Sequence, residues 1–525
     1  MDKKACDSLS ALEKLNGDVL LRILHYFNDD NIAQLSLTSK HLRTVCLPTL
    51  FQKAKVRCQF IAKSDPPPAS WPYIRTIEIA GSFSSGIGFD AGHLRQILPH
   101  LVALRKVHFR FFTWGVYWYI LDFLLAAPNI RALEIEEPSD LERSDLSFPD
   151  EVSPATLPFT EFVYTIHAPR PPSWSNFKPP ETIARRCYMS PLVLSLHQTL
   201  EVLHLPSAMA PLQEMAVVHW PRLRELKLYS ENYEGEDPTI FARLFSGMPQ
   251  LRNLDLHFFH KGPSRQTLIM PSDATFTTSF DHLDSIHIPY PDPNDNIYDC
   301  LPPTLRRMQL VDRPRYYRFN TKWMESIEGY TRPLLITATE LLCVIKRLGP
   351  LAILEHLEFA YQADSQDFML PTQIAEFFPN LRSLELHRYR SEGETDIHIE
   401  SAVENIANAL STLRHFRHFR IYLNLFVDDY RPPKIFKQEL RTDSISCSDF
   451  MTLLRHYAMK IVRNCSSSLQ IIDFLTTYVY GEQFWMRHYV GRDDRGKAIL
   501  ELDDPAIIPL SRLFVFLAAF THDSR

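Results

Sequence analysis

Thirteen stretches of the chain share one spacing, apolar-x-x-apolar-x-apolar, in which a mostly polar residue separates the last two apolar positions. Segments 223–228 (LRELKL), 251–256 (LRNLDL) and 381–386 (LRSLEL) are clear copies. Such alternation predicts a short strand with one buried face. Stretches with helical spacing lie between the copies, at 117–126, 238–245, 338–348, 372–378, 402–410 and 449–462. A strand and a helix that recur together predict stacked units, each burying its apolar edge against the next.

One position in each copy points away from the predicted core. Side chains alternate between the two faces of a strand, so the residue between the last two apolar positions lies on the opposite face. Stacked copies place these residues in one row, the inner row, which consists of Glu78, His108, Glu134, Val163, His204, Lys227, Asp255, His287, Gln309, Glu358, Glu385, Arg420 and Asp473. Glu358 and Glu385 are neighbours in the row, which indicates a site for a basic segment of a substrate protein; an acidic surface that only aids solubility is the alternative.

Residues 15–51 have a different, helical spacing. Apolar residues recur there every three or four positions on both sides of a polar break at 28–31. This predicts two or three short helices, with Asn16 as the first N-cap, Asp18 in the first turn and Pro48 at the end of the last helix. About 40 residues bury too little apolar surface to be stable alone. We therefore expect the rest of the chain or a partner protein to cover the remaining apolar face.

The order of residues in this segment resembles an F-box, the helical module that binds the adaptor subunit of cullin-RING (SCF-type) ubiquitin ligases. The resemblance rests on Leu15, Asp18, Val19, Ile23, Leu24, Tyr26, Phe27, Ile32, Leu35, Ser39, Lys40, Leu50 and Phe51. The strand copies are similar to leucine-rich repeats, so the whole chain resembles F-box/leucine-rich-repeat proteins of the fungal type. A small helical bundle that caps a larger domain, and an unrelated α/β sheet domain, are the alternatives.

The resemblance implies an α/β chain with a short N-terminal helical F-box module followed by an irregular leucine-rich-repeat-like αβ-solenoid. The implied divisions are the module (1–62), a proline-rich linker (63–70), the solenoid (71–480) and a C-terminal capping hairpin with a tail (481–525). Proline-rich stretches at 136–158, 168–180 and 289–303 are predicted to be surface loops. Two strand-like runs, 484–490 and 497–502, flank a polar turn and predict the hairpin.

The family resemblance also implies a role. The module would bind the adaptor and through it a cullin, and the repeats would bind a substrate protein as the substrate-recognition subunit of the ligase. Such a chain supplies proximity and orientation, so neither an enzymatic activity nor a cofactor is expected. The residues implied for adaptor binding are Leu15, Val19, Ile23, Leu24, Phe27, Ile32, Leu35 and Leu42. The alternatives are a non-catalytic leucine-rich-repeat scaffold or regulatory protein outside a ubiquitin ligase and, third, a hydrolase within residues 300–500.

The composition of the chain limits the kinds of partner and the cellular compartments that we expect for it. The chain is 45% hydrophobic and 22% charged with a formal net charge of −6, which is typical of a globular protein and disfavours nucleic acid as a partner. Eight cysteines without a C-x-x-C pair predict neither a zinc site nor disulfides, so we expect reduced thiols and a cytosolic or nuclear location. The charged residues 1–14 predict no signal peptide. The longest apolar run, 513–520, is shorter than the ~20 residues of a membrane helix, so no membrane partner is expected.

The strongest charged feature is a basic, aromatic run at 306–322. Arg313, Arg315 and Arg318 are candidates to bind an acidic or phosphorylated segment of a substrate through paired guanidinium contacts. A solvated loop is the alternative for this run.

Few residues of the chain are candidates for catalysis or metal binding. His257 with His260, and His415 with His418, lie at or beside predicted strands, so we interpret them as surface histidines rather than as metal ligands. No motif of a serine hydrolase, a zinc protease, a phosphate-binding loop or a dinucleotide-binding fold is present.

Overall fold

The structure is a computed structural model. It describes residues 12–57, 66–80, 95–110, 121, 124, 127, 129–138, 159–167, 189–231, 239–259, 265, 269–271, 280–313, 315–316, 334–425, 447–477, 483–493, 495 and 498–502. Contacts divide the chain into two compact units, the N-terminal unit Met1–Ser230 and the C-terminal unit Glu231–Arg525. Within the described ranges, no helix combines the length and the apolar character needed to span a membrane.

Three helices open the N-terminal unit, namely α1 (Gly17–Leu24), α2 (Asp29–Ser36) and α3 (Lys40–Leu50). A side chain caps each of them. Asn16 accepts a hydrogen bond from the Asp18 amide (2.9 Å), Asn28 from Asn31 (2.8 Å) and Ser39 from Leu42 (3.1 Å). These caps satisfy amide groups that have no partner inside the first helical turn. The predicted N-cap at Asn16 is confirmed.

The predicted end of the third helix at Pro48 is wrong, because α3 continues to Leu50. Proline lacks the N–H group that would bond to the carbonyl four residues earlier. Near the end of a helix this removes one hydrogen bond only, and the Phe51 amide still donates to the Leu47 carbonyl at 3.0 Å. The last turn therefore forms on the far side of the proline.

The three helices, which we call the helical module, bury an apolar core of their own. Leu24, Ile32 and Cys46 form its centre, each at most 1% exposed. Leu35, Val45 and Leu50 pack against this centre. The predicted linker is not simply an extended spacer, because a 3₁₀ helix (Pro68–Tyr73) begins within it and contacts α3. Part of the linker therefore packs on the helical module.

A parallel sheet follows in the N-terminal unit. Its strands, in chain order, are β1 (Lys53–Arg57), β2 (Thr76–Ala80), β3 (Lys106–Arg110), β4 (Ala132–Pro138), β5 (Glu161–His167), β6 (Val202–Pro206) and β7 (Glu225–Glu231). Each strand pairs in parallel with the next one along the chain. A 3₁₀ helix (Leu98–His100) precedes β3 and α4 (Leu212–Met215) precedes β7. Strand order equals chain order, as stacked repeats require.

The C-terminal unit has the same arrangement with longer helices. Its strands are β8 (Asn253–Phe259), β9 (Ser285–Pro289), β10 (Arg307–Val311), β11 (His356–Gln362), β12 (Ser383–Tyr389), β13 (His418–Tyr422), β14 (Ile471–Thr477), β15 (Gln483–Arg492) and β16 (Ala498–Leu502). Its helices are α5 (Ile240–Ser246), α6 (Ile297–Cys300), α7 (Ala338–Leu348), α8 (Leu370–Phe377), α9 (Asp396–Leu410) and α10 (Cys447–Asn464). Strands β8 to β14 are parallel, and the last two are antiparallel.

The apolar pattern predicts these strands correctly. All thirteen copies place their last two apolar residues on a strand, from β2 to β14. Equivalent positions lie side by side: Leu384 on β12 is opposite Leu357 on β11 and Phe419 on β13, and all three are buried. The strands therefore carry one continuous apolar face within each unit, as the alternation predicts.

Most of the other predicted elements in the C-terminal unit are confirmed. The helical stretches between copies become α5 and α7 to α10, with ends shifted by a few residues, and consecutive helices from α7 to α10 pack against each other. The predicted hairpin becomes the antiparallel pair β15 and β16. The predicted helix at 117–126 and the predicted loops at 136–158 and 168–180 lie mostly outside the described residues.

The proline-rich stretch 289–303 is not a surface loop, contrary to the prediction. It contains α6, whose Ile297 and Tyr298 are buried. Asp295 is only 3% exposed. Its carboxylate accepts hydrogen bonds from the backbone amides of Ile269 (2.6 Å), Met270 (2.9 Å) and Ile297 (3.0 Å). Because this buried carboxylate accepts hydrogen bonds from three amide groups, it holds residues 289–303 against the protein interior.

Candidate functional site

The helical module presents an unusual number of exposed apolar side chains. Among the described residues, sixteen large apolar side chains are exposed, and seven of them lie between residues 15 and 51. These seven, which we call the exposed apolar set, are Leu15, Val19, Leu21, Tyr26, Phe27, Leu37 and Phe51. Tyr26 and Leu37 are 86% and 66% exposed. Exposed apolar residues concentrated in one segment indicate a surface for protein interaction.

The residues predicted to bind an adaptor divide into two groups. Leu15, Val19 and Phe27 are exposed, whereas Leu24, Ile32 and Leu42 are at most 4% exposed and face the interior of the chain. Ile23 and Leu35 are half-buried. Helical spacing identifies the apolar positions, but it does not show which of them pack inside the module and which remain on its surface for a partner. Sequence reasoning therefore missed Leu21, Tyr26 and Leu37, whose exposure follows only from the packing of the three helices.

The inner row is formed as predicted within each unit. In the N-terminal unit the register joins Glu78, His108, Glu134, Val163, His204 and Lys227. In the C-terminal unit it joins Asp255, His287, Gln309, Glu358, Glu385, Arg420 and Asp473. Several members of the row are buried, unlike the side chains of a solvated acidic surface. His287, Glu358 and Asp473 are at most 7% exposed. Buried charges of this kind need partners inside the protein.

In the N-terminal unit, lysines supply the partners. Lys55 Nζ lies 2.8 Å from a Glu78 carboxylate oxygen. Lys106 Nζ lies 2.9 Å from Glu134 and 3.1 Å from Glu161. Lys55, Glu78, Lys106 and Glu134 line a recess of about 320 Å³. All of these side chains are at least a quarter exposed, so each pair contributes at most about 1 kcal/mol to stability.

In the C-terminal unit, an arginine from the predicted basic run supplies the partner. Arg315 Nη2 contacts a carboxylate oxygen of Glu358 directly and lies 3.4 Å from one of Glu385. Arg420 Nη1 approaches the other oxygen of Glu385 at 3.3 Å. Gln309 Nε2 donates to the second oxygen of Glu358 at 2.6 Å. Arg315, Glu358 and Glu385, three residues predicted to bind substrate, thus bind one another; we call them the Arg315 cluster.

The turn after β10 holds Arg315 in this position. The Asp312 carboxylate, 1% exposed, accepts hydrogen bonds from Arg315 Nη1 at 3.0 Å and from the Tyr316 amide at 2.6 Å. The Tyr389 hydroxyl also donates to it. The Tyr316 and Tyr389 rings pack edge to face with centroids 5.1 Å apart. Arg315 is therefore fixed by polar and aromatic contacts before any partner binds.

The sequence predicts that a basic segment of a substrate protein binds Glu358 and Glu385, and in the structure Arg315 already lies between these two carboxylates. With Arg315 between them, neutralising both acids leaves a guanidinium group with fewer partners, so stability should fall. Of the other two arginines, Arg313 is exposed and Arg318 lies outside the described residues.

Two buried groups of the same surface have shifted pKa values. Burial, together with the nearby Arg315 charge, lowers the pKa of His387 to about 3, so its ring is neutral near pH 7. Its Nε2 lies 2.8 Å from Glu385. For Asp473, burial alone raises the pKa, but hydrogen bonds from His418 and Arg487 outweigh burial and lower it to about 2. Both groups are part of paired networks rather than free reactive side chains.

A second cluster joins β8 to β9. His257 Nε2 lies 2.6 Å from Asp255 Oδ1 and 3.1 Å from His287 Nδ1, and His287 Nδ1 lies 3.5 Å from Asp255 Oδ1. Burial, followed by the proximity of His257, lowers the pKa of His287 well below its usual value. His257 is therefore not the surface histidine that the sequence suggested, since its side chain is 13% exposed. His260 lies outside the described residues.

Comparison with known proteins gives structural likenesses at low identity. No family model and no curated protein matches the chain. Among solved structures, a chain of the yeast Rad7–Elc1 complex is 12% identical, with 80% of this chain and 96% of that chain covered and a TM-score of 0.36. A TLR13 structure in complex with ssRNA13 is 13% identical (71% and 58% covered, TM-score 0.32). The leucine-rich repeat-containing protein LegL7 of Legionella pneumophila is 10% identical (89% and 98% covered, TM-score 0.28). These values assign no family to the chain.

Proposed function

We propose that the chain is the substrate-recognition subunit of a cullin-RING (SCF-type) ubiquitin ligase. The helical module binds the adaptor subunit, the adaptor connects it to a cullin, and the repeat surface binds a substrate protein. The chain itself performs no chemistry and acts in the cytosol or the nucleus. The observation that carries this proposal is the exposed apolar set on the helical module, in a segment whose residue order resembles an F-box.

The energetics of the module support a protein partner. Burial of apolar surface contributes about 25 cal/mol for each Å² removed from water. Side chains such as Tyr26 and Leu37 bury little apolar surface in the free chain, because most of their surface faces water. In protein complexes, a few apolar and aromatic side chains that become buried at the centre of the interface supply most of the binding energy. An adaptor that covers the exposed apolar set gains this energy on binding.

The repeat surface supports the second half of the proposal. The inner row carries acidic, basic and imidazole side chains on paired strands, which fixes their positions before binding. Charged groups arranged in this way select and orient a protein partner more than they add affinity. A substrate protein with a complementary charge pattern is therefore the ligand class that fits this surface.

Adaptor binding can be tested with a double variant, Val19→Asp with Leu37→Asp. Both side chains are exposed, so the charges should leave the core around Leu24 and Ile32 intact. Losing one interface anchor of about 2 kcal/mol weakens binding about 30-fold, so the double variant should lose at least that much affinity for a purified SCF adaptor. Variants at the half-buried Ile23 or Leu35 would mix lost binding with lost folding.

The matched control is Val217→Asp with Ile397→Asp. These residues are 76% and 78% exposed and lie outside the helical module. The control should bind the adaptor as the wild type does, while circular dichroism shows both double variants to be folded. Equal adaptor affinity of the Val19/Leu37 variant and the wild type would contradict the docking surface. A wild-type chain that binds no SCF adaptor would contradict the ligase role and leave the scaffold function.

A further inference from the structure

Strand pairing at the start of the N-terminal unit places a short side chain between two long ones. Lys53 on β1 is opposite Thr76 on β2, and Thr76 is opposite Lys106 on β3. Neighbouring strands lie about 4.8 Å apart, so the backbones of the two lysines are roughly 10 Å apart. The recess of about 320 Å³ includes this position, and we call it the lysine recess; Lys53, Lys55 and Lys106 line it together with Thr76, Glu78 and Glu134.

The positive charge of the lysine recess is only partly neutralised. Its two glutamates already have cationic partners, because Lys55 lies 2.8 Å from Glu78 and Lys106 lies 2.9 Å from Glu134. Lys53 is exposed, and its ammonium group forms no ion pair or hydrogen bond with another residue that the structure describes. The β1 side of the recess therefore carries a positive charge that an anionic ligand can neutralise.

The floor of the recess adds two further hydrogen-bond donors. The side chain of Thr76 is half-buried, and among the described residues its hydroxyl has no hydrogen-bond partner. The ammonium group of Lys106 has three N–H groups, of which its contacts with Glu134 and Glu161 use two. A carboxylate above Thr76 can accept hydrogen bonds from this hydroxyl and from the lysines on either side. Such charge-assisted hydrogen bonds are stronger than neutral ones.

The recess is long enough for a second carboxylate. Lys55 follows Lys53 by two residues, so both side chains point to the same face of β1, about 6.6 Å apart along the strand. Side chains at positions i and i+2 of an extended segment have the same spacing. The pair of Lys55 with Glu78 is exposed and therefore weak, and Glu78 keeps Arg110 at 3.4 Å when Lys55 turns to a ligand.

We propose that the lysine recess binds an extended acidic segment of the substrate protein, with glutamate or aspartate at alternate positions. One carboxylate lies over Thr76 between Lys53 and Lys106, and the next contacts Lys55. The inference rests on the proposed function only in naming a substrate protein as the source of the segment. Glu78 interrupts the positive surface, which suits separate carboxylates better than nucleic acid, whose binding needs a broad basic face.

The test measures the fluorescence anisotropy of a labelled peptide of alternating glutamate and glycine, titrated with the full-length chain in the absence of an adaptor. The wild type should bind the peptide saturably at low ionic strength and more weakly as salt is added, because salt screens exposed charges. A peptide with glutamine in place of glutamate should not bind. Lys53→Gln with Thr76→Val removes one ammonium group and one hydroxyl group but keeps the shape of the threonine. This double variant should weaken binding about 10-fold, which corresponds to 1.4 kcal/mol.

Two further variants separate a binding site from a general effect of charge. Glu78→Gln removes the acid within the recess and should tighten peptide binding by up to about 5-fold, a gain that a merely structural role of Glu78 does not explain. Lys346→Gln is the matched control, because Lys346 is an exposed lysine on α7 and its loss changes the net charge as Lys53→Gln does. It should bind the peptide as the wild type does. Melting curves show whether each variant is folded.

The proposal is overturned if the wild type does not bind the glutamate peptide saturably, or if the double variant binds it as tightly as the wild type. It is also overturned if Lys346→Gln weakens binding equally, or if a single-stranded oligonucleotide binds more tightly and displaces the peptide. Because no adaptor is present, these results do not depend on the helical module. Peptide binding by a chain that binds no adaptor would contradict the ligase role alone.

Discussion

Replacing Arg315 by methionine should destabilise the C-terminal unit by about 3 kcal/mol. The change keeps most of the side-chain length but removes the charge that lies between Glu358 and Glu385. These carboxylates are 9% and 14% exposed, so water cannot replace the guanidinium group fully. Removing one partner of a buried ion pair costs about 3–5 kcal/mol. Arg315 itself is 24% exposed, which places the expected loss at the lower end.

Hydrogen exchange is the suitable measurement, because a chain with two compact units need not unfold in one step. Amides of β11 and β12, which carry the two carboxylates, should exchange roughly 100-fold faster in Arg315→Met, as 1.4 kcal/mol corresponds to a factor of ten. The control is Arg306→Met, which breaks an exposed pair with Glu355 of 3.3 Å and should cost less than about 1 kcal/mol.

A second substitution separates charge pairing from simple loss of contact. Adding Glu358→Gln to Arg315→Met removes one of the two acids that would then repel each other, so the double variant should be more stable than Arg315→Met alone. In the wild-type background the same Glu358→Gln change should be destabilising. The reasoning is refuted if Arg315→Met exchanges like the wild type, or if Glu358→Gln has the same effect in both backgrounds.

Three further outcomes are expected. Burial above all lowers the pKa of His387 to about 3, so as the pH falls below 6.5 the unfolded chain takes up a proton that the folded chain does not. His387 should therefore contribute a loss of about 2 kcal/mol to the unfolding free energy of the C-terminal unit between pH 7.5 and pH 5, and His387→Gln should reduce the pH dependence by that amount; an unchanged pH slope would contradict the assignment. Thr337→Ala removes the capping box of α7 and should cost about 1 kcal/mol in the same assay, where no loss would argue against the cap. Gly349→Ala should cost about 1–3 kcal/mol because its φ is +65°, whereas Gly17→Ala, at a helix start with open space around it, should be nearly neutral; equal melting of both would be inconsistent with strain at Gly349.

The apolar periodicity of the sequence predicts the repeat strands correctly, but it does not predict strand β1 or the segment around α6. Thirteen strands followed from apolar alternation because each buries a face against its neighbours. Strand β1 was missed, since Lys53–Arg57 carries a single large apolar residue, Val56, and its pairing with β2 decides its conformation. The segment around α6 was wrongly predicted to be a loop because it is rich in proline. Its buried position depends on the Asp295 carboxylate, which accepts hydrogen bonds from the amides of Ile269 and Met270, and no local sequence pattern predicts these contacts.

At the candidate site, too, the features that depend on a pattern within each strand could be predicted, and the contacts between residues far apart in the chain could not. Placement of Glu358 next to Glu385 could be predicted, because repeat register depends on a pattern present in each strand. Their partner could not, since Arg315 reaches them through a turn anchored by Asp312 and Tyr389, 77 residues apart in the chain. His257 was paired with His260 on sequence spacing, but its contact in the structure is His287, 30 residues away on the next strand.

Internal pairing changes what the inner surface can bind. A basic segment of a substrate reaches Glu358 and Glu385 only by displacing Arg315, and the guanidinium must then give up its contact with Asp312 or accommodate a second positive charge beside it. If displacement costs the ~3 kcal/mol expected for the unpaired acids, binding weakens more than 100-fold relative to two free carboxylates. An acidic segment meets the same carboxylates and is repelled. A partner therefore gains little from charge alone at this position, and its affinity must come from contacts around the cluster, such as the aromatic side chains of Tyr316 and Tyr422, while the charges determine its orientation.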